Sequence, residues 1–362
     1  MRVGIVCPYS FDEPGGVQAH ILDHARYLLQ QGHDVKVIGP ASNDCDVPEF
    51  VVKGGPSVAV PYNGSVARLA LGPRVARQLK QFIGQGQFDI LHIHEPNAPS
   101  YSLQALALAH GPIVATYHAS ATDSLLLRLA AAGLKPLLEK IRGGIAVSEM
   151  ARRWQVEQLG TDPVLIPNGV AVDAFVPAEK PHNEPVEVVF LGRIDEPRKG
   201  LDVLLSALPL VSHPFHLTVI GGGEPRDIAG VDFVGKVSEA EKIALLQRAD
   251  IFVAPQLGGE SFGIVLVEAM AARAVVIASR LEAFNHVVQA DSATPCGLSF
   301  DTGSARDLAL VIDQAIGDPG LRQCLRERGS ARAWDYDWSR VGADIQRVYD
   351  TVADGTVVRL SW

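Results

Sequence analysis

Short runs rich in Val, Ile and Leu alternate with helical stretches along this chain, and the alternation is made twice. In the first half the runs fall at 2–7, 34–39, 90–94, 113–116 and 144–147, with helical stretches at 17–31, 74–83 and 101–109. A second series follows at 186–192, 216–221, 231–234, 251–255 and 275–278, with helical stretches at 201–210, 239–248 and 263–272. Apolar strands separated by helices belong to parallel sheets, because a parallel pair needs a crossover and the crossover helices cover the sheet. The expected fold is therefore α/β, two Rossmann-like domains in tandem, facing each other across a cleft. A length of 362 residues agrees, being more than one ordinary core needs. The segment LIPNGVAVDAFVPA at 165–178, followed by polar EKPHNEPVE, reads as the junction. It gives a first domain at 1–165 and a second at 166–336, with a helical tail at 337–362 expected to cross back onto the first.

Composition narrows the class. Hydrophobic residues make up 47% and charged residues 20%, which suits a soluble globular protein. No apolar run reaches the roughly 18 residues that span a bilayer, so no transmembrane segment is expected. The start, MRVGIVCPYS, carries one basic residue before a strand-like run and does not read as a signal peptide. Cys7, Cys45, Cys296 and Cys324 lack metal-ligand spacing and fit a reducing compartment. The net charge of −9 is uneven: residues 1–165 carry 14 basic and 14 acidic side chains, residues 166–362 carry 18 and 27. Acidity argues against a nucleic-acid partner, while the neutral first half can still meet an anionic surface through a local basic patch.

The densest chemistry lies in the second half. Glu260 and Glu268 stand eight positions apart in GGESFGIVLVEAM, and Arg193 and Lys199 six apart in LGRIDEPRKG. A sugar nucleotide presents a diphosphate that attracts cations and hydroxyls that donate to carboxylates, and these segments offer both at predicted strand ends. Arg supplies a fork for phosphate oxygens and Lys a point charge. Glu268 lies among Val and Ala, where a carboxylate needs a partner, from the protein or from a ligand. Read singly, each of these residues also fits a solvated loop or a salt-bridged helix.

In the first half Gly15-Gly16 precedes a helix, where main-chain N–H groups and the helix dipole can receive an anion; alone it fits a tight turn equally well. The segment is not GxGxxG, which counts against a nicotinamide enzyme. His118, in VATYHAS, can bond a sugar, steer a proton or be structural. His92 and His94 in ILHIHEPNAPS are assigned to opposite faces of their strand, which argues against one metal holding both. The helix GPRVARQLKQFIG sets Arg74, Arg77, Gln78 and Gln81 on one face and Val75, Leu79 and Phe82 on the other, with Arg68 and Lys80 nearby. That pattern fits an anionic membrane surface or an ordinary solvated face.

LGRIDEPRKG and GGESFGIVLVEAMAA resemble the retaining glycosyltransferases of family 4, which have the two-domain GT-B fold. CPYSFDEPGGVQ, PYNGSVARL, HIHEPNAPS and GESFGIVLVEAMA resemble the branch that mannosylates phosphatidylinositol, and the similarity runs over essentially the whole chain. The resemblance implies that Gly16, Arg193 and Lys199 contact the diphosphate of GDP-mannose, that Glu260 contacts the mannose, and that Phe262, Gly263 and Ile264 lie along the donor. It places Glu268 at the ribose, Glu239 and Lys242 at the guanine, and His118 at the reacting sugar. Tyr9, Asn63, Arg68 and Thr122 would line the inositol phosphate, and Arg74, Arg77 and Lys80 would face an anionic membrane. Glu239 stands where that branch shows Asp, and Gln78 and Gln81 where it carries Lys.

The expected activity is mannosyl transfer from GDP-mannose to the inositol ring of phosphatidylinositol, the first step of phosphatidylinositol mannoside synthesis. The expected location is cytoplasmic, peripheral on the inner face of the plasma membrane. No paired-Asp motif stands at a strand end, so no metal is expected to hold the donor, leaving Mg2+ an indirect, stimulatory role. The same donor half also suits a soluble inositol phosphate or another polyol as acceptor, a sugar-nucleotide epimerase, or a non-catalytic lipid- or nucleotide-binding module.

Overall fold

The computed structural model describes residues 1–13, 15–62, 65–118, 134–180 and 183–361; Asn63 and Thr122 lie outside them. The chain divides into two compact units, Met1–Gly169 with Trp338–Trp362, and Val170–Asp337.

The first unit runs β1 (Arg2–Val6), α1 (Gly16–Gln30), β2 (Asp34–Gly39), β3 (Val51–Lys53), β4 (Val58–Tyr62), β5 (Ser65–Leu69), α2 (Pro73–Gly86), β6 (Ile90–His94), α3 (Tyr101–Leu108), β7 (Ala109–His110), β8 (Ile113–Tyr117), β9 (Gly143–Ala146), α4 (Glu149–Leu159) and β10 (Val164–Leu165). The second runs α5 (Val172–Phe175), β11 (Val186–Leu191), α6 (Leu201–Ala207), β12 (Phe215–Ile220), β13 (Val231–Gly235), α7 (Glu239–Arg248), β14 (Ile251–Ala254), α8 (Ile264–Ala271), β15 (Val275–Ser279), α9 (Glu282–Val288), β16 (Leu298–Phe300), α10 (Ala305–Gly317) and α11 (Pro319–Ala333). The tail, α12 (Trp338–Val352) and β17 (Arg359–Leu360), belongs to the first unit, where β17 pairs with β7.

Both large sheets are parallel throughout. The seven-stranded one has the order β10-β9-β8-β6-β1-β2-β3 and the six-stranded one β13-β12-β11-β14-β15-β16. Each order reverses once, beside β1 in the first sheet and beside β11 in the second. This is the doubly wound arrangement, and its ligands sit beyond the carboxyl ends of the strands at the reversal. The two Rossmann-like units follow from the alternation in the sequence.

Helices cover both faces of the first sheet. Ile21, Ala25 and Leu28 of α1 and Val341, Ile345 and Tyr349 of α12 pack with Val3, Ile5, Ile90 and Val114 on one side. Val75, Leu79, Phe82 and Ile83 of α2 and Tyr101, Ala105 and Leu106 of α3 pack with Val6, Ile38, Leu91 and Ile93 on the other. Along β6, residues 91 and 93 thus face α2 and α3. His92 and His94 both face α1 and α12, and their rings stack at 4.4 Å. The opposite-face assignment of these two histidines is therefore wrong: residues two apart in a strand share a face, because the side-chain period is two.

Candidate active site

The second unit gathers its charged side chains in the loops after β11 and β14, the two strands at the reversal of its sheet. Glycine makes this approach possible. Gly200 has φ +74°, and a side chain there would collide with the Pro255 carbonyl; Leu257 N–H also donates to the Arg198 carbonyl at 2.8 Å. The loop after β11 is thereby stitched to the loop after β14. Gly258, Gly259 and Gly263, all at positive φ, then carry the chain past Glu260 into α8.

Glu260 is held by two cations. Its Oε1 accepts from Arg198 Nη1 at 2.9 Å and from Lys199 Nζ at 2.6 Å, and Arg198 also pairs with Glu196. These side chains are largely shielded, which strengthens their attraction relative to an exposed pair. Arg193 sits differently: it is more than half exposed and forms a two-pronged contact with Asp195 at 3.3 Å. Arg193 and Lys199 remain near neighbours in the backbone, since a side chain on Gly192 would come within 3.4 Å of Lys199 Cβ. Arg198, which the sequence reading passed over, is the cation that shares Glu260 with Lys199. Its signal was there, in the adjacent Arg-Lys of EPRKG.

Glu268 lies within α8 and is 8% exposed. Its Oε1 accepts from Lys242 Nζ at 2.9 Å, and Lys242 also pairs with Glu239 at 2.8 Å. Burial alone would lower the Lys242 ammonium; Glu268 and Glu239 outweigh it and leave the group raised above its ordinary value. Glu239 is set at the start of α7 by a capping box between Ser238 and Glu241. Lys242 also lies 5.5 Å from the centre of the Phe175 ring. The acid–lysine–acid chain thus stands at the carboxyl end of the sheet, beside Gly263 and Ile264 at the start of α8. Phe262 is buried edge-on against Tyr336 at 5.5 Å.

In the first unit the candidates also gather at strand ends. Gly16 opens α1 with no capping side chain and no acidic residue in the first turn, and the space where its side chain would stand is open. Tyr9 lies in the β1–α1 loop, where its carbonyl accepts the Cys7 thiol. Arg68 joins that loop from β5: its carbonyl accepts Ser10 N–H at 3.1 Å and its guanidinium pairs with Glu13 at 3.2 Å.

His118 follows β8. Its main-chain N–H donates to the buried Glu95 carboxylate, and its Nε2 bonds His94 Nδ1 at 2.8 Å. Burial lowers this imidazole to about 3, so it is neutral at physiological pH and serves as a hydrogen-bonding group rather than an acid.

On α2, Arg74, Arg77, Lys80 and Gln81 are exposed, opposite the buried Val75, Leu79, Phe82 and Ile83. Gln78 departs from the expected face: its Oε1 accepts the Tyr101 hydroxyl at 2.6 Å, which turns it toward α3. The β4–β5 hairpin beside α2 exposes Val58, and the turn before α2 exposes Leu71.

A sheet reversal fringed by cations and carboxylates suits an anionic sugar derivative, and comparison with known proteins narrows this. Residues 14–174 match the family described as Glycosyltransferase Family 4, and residues 185–318 the family described as Glycosyl transferases group 1. The phosphatidyl-myo-inositol mannosyltransferase of Mycolicibacterium smegmatis is 50% identical over 98% of this chain and 94% of its own length. The chain belongs to the family 4 mannosyltransferases. The phosphatidyl-myo-inositol mannosyltransferase of Mycobacterium tuberculosis is 47% identical, over 98% of this chain and 97% of its own. A solved sucrose-phosphate synthase from Thermosynechococcus elongatus superposes with a TM-score of 0.74 at 19% identity, covering 98% of this mannosyltransferase and 99% of that chain, and so shares its fold. Among the described residues, no helix of the mannosyltransferase is long and apolar enough to cross a membrane.

Proposed function

We propose that this mannosyltransferase moves mannose from GDP-mannose to the inositol ring of phosphatidylinositol with retention of configuration, as the first step of phosphatidylinositol mannoside synthesis. The observation that carries the reading is the contact of Arg198 and Lys199 with one glutamate, Glu260, at the sheet reversal. The relatives named above support the acceptor.

A diphosphate entering this cluster competes with Glu260 for the cations. Lys199 and Arg198, with Arg193 beside them, turn to phosphate oxygens, and the released carboxylate accepts hydrogen bonds from mannose hydroxyls. Glu268 takes the ribose hydroxyls, and Glu239 with Lys242 lies toward the base. As the sugar–phosphate bond breaks, negative charge grows on the departing diphosphate, and preorganised cations stabilise it without reorganising solvent. The inositol hydroxyl attacks from the face the diphosphate vacates, and its proton passes to the departing phosphate oxygen. No step requires a covalent enzyme intermediate or a metal on the donor. In the first unit, Gly16 offers main-chain N–H groups to an anion, and Tyr9 and Arg68 lie beside that loop. Arg74, Arg77 and Lys80 form the basic face toward anionic lipid, about 1 kcal/mol each near the surface. The enzyme then works from the cytoplasm on the inner leaflet of the plasma membrane.

Incubating purified protein with GDP-mannose and phosphatidylinositol vesicles tests this reading. The expected product is a mannosylated lipid, with kcat/KM lowered about a hundredfold or more in Lys199→Ala. Transfer to soluble inositol phosphate without transfer to the lipid would overturn the acceptor assignment. Donor binding with no turnover would overturn the enzyme reading.

A further inference from the structure

Five histidines meet inside the first unit: His20 and His24 on α1, His92 and His94 on β6, and His118 after β8, each 6% exposed or less. His118 stands nearest the ligand end of the sheet. It follows the last residue of β8, and its ring lies 5.1 Å from that of His20, one helical turn into α1 from Gly16. Burial holds all five rings below the ordinary histidine value, so they are neutral at pH 7. A neutral imidazole has one N–H and one lone pair, and its tautomer decides which nitrogen donates.

The 2.8 Å bond between His94 Nδ1 and His118 Nε2 can run either way. If His118 donates, the His94 proton must sit on Nε2, which is buried with no partner. His118 Nδ1 would then present a lone pair toward Asn168. The Asn168 side chain favours a protonated His118, the effect of an oxygen near the one ring nitrogen left to it, Nδ1. That amide oxygen is itself buried and unbonded. If His94 donates instead, its Nε2 keeps only a lone pair, and His118 Nδ1–H faces an oxygen. A buried N–H without an acceptor is rarer than an acceptor without a donor, so the second direction wins.

We infer that His94 is a positioning residue: its Nδ1–H fixes His118 as the Nδ1–H tautomer, which then offers a donor to an oxygen of the bound sugar. His118 stays neutral and gives up no proton. The neighbours hold this arrangement. His92 has both nitrogens bonded, to the Tyr349 and Thr116 hydroxyls at 2.7 Å each, and its ring stacks on His94 at 4.4 Å. His20 packs edge-on against His94 and His118, and His24 lies flat on Trp338 at 5.5 Å. Neither has a hydrogen bond from its ring among the described residues, so neither contests the direction.

The inference rests on the transfer reaction proposed above, so its test reads the tautomer without substrate. Nitrogen-15 NMR of histidine-labelled full-length protein reports which ring nitrogen carries the proton, and His118→Ala identifies the signals. The proton is expected on Nδ1 in wild type and in His94→Asn, whose amide N–H can replace Nδ1–H. In His94→Leu it should shift toward Nε2. Transfer assays should show kcat lowered about tenfold in His94→Leu, the worth of about one hydrogen bond, and largely restored in His94→Asn. GDP binding should be unchanged in both, because the charged cluster lies in the second unit. A wild-type proton on His118 Nε2, or an unaltered tautomer in His94→Leu, overturns the inference, as does full turnover by His118→Ala. If His94→Leu does not fold, the wild-type and His94→Asn signals decide. Wild type that shows the Nδ1–H signal yet transfers no mannose would overturn the proposed function and leave the tautomer assignment standing.

Discussion

Mild acid should destabilise the first unit far more than the second, and the buried histidines set the size of the effect. His24 and His118 are lowered by burial from 6.5 to about 3, so both are neutral in the folded unit. In the unfolded chain each binds a proton below about pH 6.5. The unfolded state then holds more protons, and stability falls as pH falls, from about 6.5 down to about 3. Each histidine contributes up to about 1.4 kcal/mol per pH unit, a slope reached only below its unfolded pKa, so the two together lose about 3 kcal/mol between pH 6.5 and pH 5. His20, His92 and His94 are shifted the same way and add to it. Against a typical domain stability of about 5–15 kcal/mol, that is a large share of what holds the unit folded. The second unit has no buried histidine among its described residues. Urea unfolding followed by circular dichroism at steps from about pH 7.5 to about pH 5 should show one transition moving and one staying. His24→Phe should flatten the moving transition by about 1.4 kcal/mol per pH unit. A first unit equally stable at both ends of that range would refute the burial argument.

Other outcomes follow from the strand-end clusters. Gly16→Ala should fold at least as well as the parent in thermal melts, since the space is open and Ala favours a helix by up to about 1 kcal/mol; any loss of transfer then reports a ligand at those amides. Lys242→Met should leave Glu268 and Glu239 without their shared cation, costing about 3–5 kcal/mol of stability in denaturant titration, an upper figure because Glu239 is exposed. Arg74→Gln with Arg77→Gln and Lys80→Gln should weaken sedimentation with anionic vesicles by about a hundredfold and leave neutral vesicles unaffected. Equal loss on both would remove the electrostatic reading of α2.

Much of this architecture was legible because fully buried parallel strands announce themselves as apolar runs between helices. The β4–β5 hairpin escaped as secondary structure because its strands are short and Val58 and Val60 are exposed, although its Asn-Gly was a hairpin signal. The pairing at Glu260 was only half legible: sequence spacing pointed to Arg193 and Lys199, whereas the turn ending at Gly200 presents Arg198. Gln78 looked polar and outward, yet its Oε1 turns in to the Tyr101 hydroxyl, which it shares with the Gly54 carbonyl. The histidine cluster was spelled out in His92 and His94 two apart and His20 and His24 four apart. Both spacings place their pair on one face, and misassigning the first pair hid the cluster.

The central claim is that the Glu260 cluster exchanges its internal ion pairs for a donor's diphosphate and sugar. Calorimetric binding of GDP and of GDP-mannose to wild type, Lys199→Met and Glu260→Gln measures this directly. Lys199→Met should weaken both ligands, whereas Glu260→Gln should bind GDP as well as or better than wild type and lose the added affinity due to mannose. If Glu260→Gln keeps the full mannose increment, or Lys199→Met binds GDP undiminished, the exchange does not occur and the donor lies elsewhere.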